Sequence, residues 1–133
     1  MRILIDTNVL ISAFIFGGKA GSLLELLFDT HNELLISDYI DTEFKEKLDE
    51  KWSDKADNVY AMYRTLPFIF CESSEIQYRN LRDEKDIPIL NDALYYDVDV
   101  ILSGDKDFIE ADLEHPLVFS PSMMYEYMKN QIN

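Results

Sequence analysis

MRILIDTNVLISAF, residues 1–14, joins a short apolar run to three consecutive polar side chains. The run Ile3–Ile5 is typical of a strand that is buried on both faces of a sheet. It ends at Asp6, which is followed directly by Thr7 and Asn8. A carboxylate at the end of a buried strand indicates either a cap for the next helix or a functional site. The rest of the chain decides between these two interpretations.

Short apolar runs and helical patterns alternate along the whole chain. Further strands are predicted at Leu34–Ile36, Phe68–Cys71, Val98–Leu102 and Leu117–Phe119. Helices are predicted at Asn8–Phe16, Ser22–Asp29, Asp38–Lys51, Lys55–Leu66, Ile87–Asp97 and Pro121–Asn130, with a break at Gly17–Gly21 and a loop at Ser103–Asp107. Because the strands are apolar throughout and alternate with helices, the pattern predicts a parallel sheet covered by helices on both faces.

The size and composition indicate one domain. The chain has 133 residues, 47% of them hydrophobic, which suits a single compact domain over residues 1–133. No apolar stretch approaches the roughly 20 residues that span a membrane, and the N-terminal residues do not resemble a signal peptide. The one cysteine, Cys71, excludes an internal disulfide and is interpreted as a small core residue. These features predict a cytoplasmic protein that does not associate with membranes.

The net charge is strongly negative. There are 26 acidic residues against 12 lysines and arginines, a formal charge of −14. Such a chain repels nucleic acid as a whole. If it acts on a polyanion, it needs metal ions at the site, a local basic patch or a basic partner.

Acidic residues are expected together at one edge of the predicted sheet. Asp6 follows the first strand, and Glu43 lies in the second turn of the helix after the second strand. Asp86 begins the helix that leads to the fourth strand, and Asp105 and Asp107 follow that strand. Ligands of parallel sheets bind beyond the carboxyl ends of the strands. Carboxylates gathered there repel one another unless a cation lies between them, and Mg²⁺ or Mn²⁺ prefers oxygen ligands. The pattern therefore predicts metal-dependent hydrolysis of nucleic acid.

Each of these acids also has an ordinary structural interpretation. Asp6 and Asp86 could cap the helices that follow them. Glu43 could pair with Lys47 on an exposed helix face, and Asp105 and Asp107 could be turn residues. In a chain with 26 acidic residues, some acid near every strand end is expected by chance.

Three segments of the chain, taken in order, resemble the motifs of PIN domains. ILIDTNVLISAF is similar to the opening motif, and LLISDYIDTEFKEKL is similar to the second. RDEKDIPILNDALYYDVDVILSGDKDF resembles the third and fourth motifs together. The resemblance covers essentially the whole chain. It implies a three-layer α/β/α fold with a central, mostly parallel five-stranded sheet, and a Mg²⁺- or Mn²⁺-dependent ribonuclease site.

The resemblance also implies roles for individual residues. The metal ligands and catalytic acids would be Asp6, Glu43, Asp86 and Asp105. Thr7 and Asn8 would support the acids by hydrogen bonds, Ser103 takes the hydroxyl position of the fourth motif, and Asp107 completes its loop. The third motif departs from the usual Asp-Pro pattern. Alignment on Ala93 favours Asp86 as the third ligand, while Asp83 could also reach the site.

The branch of the family that the motifs resemble implies a biological role. The chain would be a VapC-like toxin that cleaves RNA, is silenced by an antitoxin protein and forms a homodimer. The alternative is a non-catalytic acidic α/β module for binding or regulation, either similar to a receiver domain or a degenerate PIN scaffold. A receiver-like module would bind the metal ion without cutting RNA.

Overall fold

The central feature of the computed structural model, which describes residues 1–74, 87–109 and 115–132, is one five-stranded sheet. Its strands are Arg2–Ile5 (β1), Glu33–Ser37 (β2), Ile69–Cys71 (β3), Val100–Leu102 (β4) and Leu117–Phe119 (β5). The order is β3-β2-β1-β4-β5, and every neighbouring pair is parallel. All five predicted strands are therefore confirmed.

Helices connect the strands. They are Thr7–Ile11 (α1), Gly18–Asp29 (α2), Asp38–Lys51 (α3), Ala56–Thr65 (α4), Ile87–Tyr95 (α5), Lys106–Ile109 (α6) and Pro121–Ile132 (α7), with a π-helical segment at Ser12–Phe16. The chain winds outward from β1 to β3 and then returns to β4, so the connections of the two halves lie on opposite faces of the sheet. This confirms the predicted three-layer α/β/α fold.

The strand order places the carboxyl ends of β1 and β4 side by side. In the register of the sheet, Ile5 pairs with Leu102, and Asp6 and Ser103 follow these two residues directly. A receiver domain has the strand order 2-1-3-4-5, which differs from the order found here. The receiver-like alternative is therefore wrong.

Several element boundaries differ from the prediction, three of them in ways that the local structure explains. The break is confined to Gly17 and Gly18, whose φ angles of 72° and 52° turn the chain sharply, so α2 begins before Ser22. The start of β4 is delayed to Val100, since Asp97 has a φ of 51°. Lys106–Ile109 forms a short helix instead of a loop.

The core lies on both faces of β1, β2 and β4, and an aromatic cluster extends it between α3 and α4. Phe44 of α3 and Tyr63 of α4 are fully buried, with ring centroids 4.7 Å apart. The Tyr63 hydroxyl donates a hydrogen bond of 2.9 Å to Asp41 on α3, so the buried phenol has a partner. This contact fixes α4 against α3, the helix that carries Glu43.

No single helix in the described ranges is long and apolar enough to cross a membrane. Thr7–Phe16 and Gly18–Asp29 reach that length and composition only when taken together, and they are bent by 107° relative to each other.

Candidate active site

Asp6 both caps a helix and lies in a buried polar cluster. Its Oδ1 accepts a hydrogen bond of 2.7 Å from the backbone N–H of Thr7, at the start of α1. Its Oδ2 accepts one of 2.8 Å from the hydroxyl of Ser103, which lies 97 residues away in the sequence. The residue is 5% exposed. The helix-cap interpretation is thus correct locally, but it accounts for only one of the two carboxylate oxygens.

Ser103 links two of the predicted acids. Its hydroxyl donates to Asp6 and accepts a hydrogen bond of 3.1 Å from the backbone N–H of Asp105. The side chain is completely buried. Because β1 and β4 are neighbours in the sheet, this serine bridges the two strand ends and holds both segments in place.

The charges of three predicted acids interact. Burial raises the pKa of Asp6 above its ordinary value, and the hydrogen bonds from Ser103 and Thr7 lower it in part. The negative charges of Glu43 and Asp105 raise that pKa further. Glu43 and Asp105 are both half-buried. Asp6, Glu43 and Asp105 therefore share one electrostatic environment at the carboxyl edge of the sheet.

The chemistry of these three acids suits a hard cation. All would provide carboxylate oxygens, and a cation among them would reverse the upward pKa shift of Asp6. However, no three His, Cys, Asp or Glu side chains in the described part of the chain lie close enough to hold one metal ion. The described acids thus offer the right donor type without forming a complete coordination sphere among themselves.

The remaining predicted site residues fall into two groups. Asp86 and Asp83 lie outside the described residues, as does the side chain of Asp107. Thr7 contacts Asp6 through its backbone N–H, while its buried hydroxyl has no hydrogen-bond partner. The Asn8 side chain is exposed. The predicted support by Thr7 therefore comes from its main chain.

Glu43 lines an open depression along the first turns of α3. The depression has a volume of about 490 Å³ and is also lined by Asp38, Thr42, Glu46 and Ser73. Glu43 lies on α3, whose first turn follows β2 directly. The sheet and this helix together place Glu43 where its charge acts on Asp6.

One buried acid was missed from the sequence. Asp92 on α5 is 1% exposed, and its Oδ1 accepts a hydrogen bond from the backbone N–H of Ser74. Burial raises its pKa, and the hydrogen bond from the Ser74 N–H lowers it in part. The second carboxylate oxygen of Asp92, Oδ2, and the hydroxyl oxygen of Ser37 are both buried without a hydrogen-bond partner among the described residues. The available signal was the polar pair Asn91-Asp92 within an otherwise apolar helix.

The raised pKa of Asp6 predicts a pH-dependent difference in stability between the wild type and Asp6→Asn, both without metal. Since the folded-state pKa lies above the unfolded value, ionised Asp6 destabilises the fold at neutral pH. That penalty disappears as the pH falls through the raised pKa towards 3.8. We therefore expect the variant to be the more stable protein at pH 7 and its advantage to shrink on acidification. Thermal unfolding of both proteins in EDTA checks this, and a constant difference across the pH range would contradict it.

Comparisons with known proteins agree on one family. The sequence profile of the PIN domain matches residues 2–107. No curated protein matches the chain. Among solved structures, a chain of the VapBC2 complex from Rickettsia felis, bound to a DNA fragment from its promoter, aligns with a TM-score of 0.72 and 15% identity, covering 90% of this chain and 98% of that one. VapC20 of Mycobacterium tuberculosis, a toxin that cleaves the sarcin–ricin loop, aligns with a TM-score of 0.62 and 12% identity, covering 84% of this chain and 95% of that one. At these identities the two structures establish a shared fold.

Proposed function

The chain belongs to the PIN domain family, and from that membership we propose that it is a Mg²⁺- or Mn²⁺-dependent endoribonuclease. The observation that carries the proposal is that three acids share one electrostatic environment at the carboxyl edge of the sheet. Glu43 and Asp105 come from separate segments, and both act on the buried carboxyl group of Asp6. Carboxylates placed together in this way are suited to binding cations that promote phosphodiester hydrolysis.

The protein residues have distinct tasks in this mechanism. Asp6, Glu43 and Asp105 would hold the metal, together with Asp86. When bound, the metal supplies an activated water and stabilises charge on the leaving oxygen. Ser103 fixes the orientation of Asp6 through its hydroxyl and anchors the backbone of Asp105. Supporting contacts of this kind orient ligands and tune their affinity for metal.

Glu43→Gln is expected to lower the rate of RNA cleavage by at least about 100-fold, because the variant removes a negative oxygen ligand while keeping the side-chain volume. Glu46→Gln is the matched control, since Glu46 is exposed, lines the same depression and undergoes the same change of charge. Its cleavage rate should stay close to wild type. Initial rates on a labelled RNA in excess Mn²⁺ measure both effects. Equal losses in the two variants would contradict the assignment of Glu43.

The proposed biological role is that of a toxin controlled by an antitoxin protein. The two similar structures are a VapBC2 complex and the toxin VapC20, which supports this role. A basic antitoxin would also complement the formal charge of −14. We further propose that the toxin acts in the cytoplasm as a homodimer. Co-expression with the product of a small adjacent gene, followed by co-purification, tests the partnership.

A non-catalytic PIN scaffold is the second candidate. It is favoured by the lack of a three-residue metal cluster among the described side chains. Titration with Mn²⁺ and an RNA cleavage assay separate the two candidates. A nuclease binds the ion and cleaves RNA, whereas a degenerate scaffold leaves RNA intact at every metal concentration.

A further inference from the structure

We propose that Asp92 is a positioning residue for the nuclease site, an inference that rests on the function proposed above. Asp92 acts by fixing the chain where it leaves β3 against the first turn of α3. It thereby holds the wall of the depression that contains Glu43. Asp92 lies within the segment that resembles the third and fourth motifs, but it is not among the predicted metal ligands or supporting residues.

Three consecutive residues after β3 are each fixed by a hydrogen bond. The carbonyl of Glu72 accepts from the hydroxyl of Tyr96, and the N–H of Ser74 donates to Asp92. Between them, the hydroxyl of Ser73 accepts a hydrogen bond of 2.9 Å from the backbone N–H of Tyr39. We call this set of contacts the exit clasp; its members are Tyr39, Glu72, Ser73, Ser74, Asp92 and Tyr96.

The spacing within the clasp explains its effect. Asp92 lies on α5, and Tyr96 directly follows the last residue of that helix. Because the two residues are four apart, their side chains lie on the same side of the helix. They hold the backbone on either side of Ser73, whose own hydroxyl contacts α3. The clasp therefore joins three elements: the end of β3, α5 and the start of α3.

The burial of Asp92 indicates that this position requires a polar acceptor. A carboxylate that is 1% exposed carries a large desolvation cost, which an alanine or leucine in the same apolar helix would avoid. Either of those residues would, however, leave the N–H of Ser74 without this partner. A buried charge by itself is weak evidence for added stability, so we interpret the Asp92 contact as fixing the geometry of the chain after β3.

The clasp reaches the candidate site through α3. Tyr39, whose N–H binds Ser73, precedes Glu43 by one helical turn. Ser73 and Glu43 also line the same depression. If the chain after β3 were displaced, the first turn of α3 would lose its hydrogen bond to Ser73. Ser73 would also move relative to Glu43 within the depression.

The test compares Asp92→Ala, Asp92→Asn and the exposed control Asp54→Ala, with two readouts. Amide hydrogen exchange at Ser74 and Tyr39 is measured on the metal-free proteins, and Mn²⁺ affinity is measured by calorimetry. We expect Asp92→Ala to accelerate exchange at both amides and to weaken Mn²⁺ binding by about 10- to 100-fold. Asp92→Asn should keep both properties near wild type, because its amide oxygen can accept from Ser74 and its N–H₂ can donate to Ser37. Asp54→Ala should change neither.

Several results would overturn the proposal. One is a folded Asp92→Ala variant with faster exchange but unchanged Mn²⁺ affinity, which would leave Asp92 a purely structural role. If Asp92→Ala does not fold, Tyr96→Phe is the second test variant. It removes the exposed hydrogen bond from the Tyr96 hydroxyl to the carbonyl of Glu72 and leaves Asp92 in place. Unchanged exchange and Mn²⁺ affinity in Tyr96→Phe would then exclude the clasp. Loss of the proposed nuclease function would be seen separately, as an absence of RNA cleavage by the wild type.

Discussion

Replacing Asp6 with asparagine is expected to abolish metal-dependent RNA cleavage, lowering the rate by more than about 1000-fold, while the protein stays folded. The substitution removes the negative charge at the most buried of the three described acids. The cap on α1 survives, because the asparagine Oδ1 can still accept from Thr7. The asparagine N–H₂ can donate to the Ser103 hydroxyl, which already accepts from Asp105. The loss should therefore reflect the site and not the fold.

Cleavage of a labelled RNA over a Mn²⁺ titration measures this loss. Circular dichroism and thermal unfolding show whether the variant remains folded. The matched control is Asp54→Asn, which removes the same charge from an exposed position just after the end of α3. Undiminished cleavage by folded Asp6→Asn would refute the assignment of the site.

Replacing Phe44 with alanine is expected to have the largest effect on stability, a loss of about 3–5 kcal/mol in the free energy of unfolding. Phe44 is fully buried, and its ring packs against those of Tyr63 at 4.7 Å and Phe14 at 6.0 Å. Its removal leaves a cavity between α3, α4 and the segment after α1. Because Phe44 follows Glu43 directly on α3, the substitution should also lower the cleavage rate of the protein that remains folded.

Urea unfolding measures the effect as a lower midpoint at an unchanged slope. Phe16→Ala is the control, since this ring is 72% exposed and makes an edge contact with Trp52 alone among the ring pairs of the described residues. Its loss should be about 1 kcal/mol or less. If the two variants were equally stable, the aromatic cluster would not be the support of α3.

Local patterns in the sequence predicted most of the fold. The five strands were found as apolar runs. Strands β1, β2 and β4 lie inside the sheet and are mostly buried, which favours apolar residues on both faces, while the edge strands β3 and β5 are partly exposed. Boundaries that depend on distant contacts were missed. The segment before β4 is one example: the φ of 51° at Asp97 delays the strand, and the carboxylate of Asp99 accepts from the backbone N–H of Arg2, a contact across 97 residues. The helix at Lys106–Ile109 is another, since Phe108 is buried in the shared core.

The alternation of apolar runs and helical patterns by itself determined the α/β class, and the motif around Asp6 determined where a site was to be sought. These are properties of neighbouring residues, so they can be read without knowing which strands meet. Only the tertiary structure decided that Ser103 bridges Asp6 and Asp105, because that contact requires β1 and β4 to be adjacent. It also decided that Asp92 is buried against Ser74, since the cost of burying a carboxylate depends on the partners that the fold supplies.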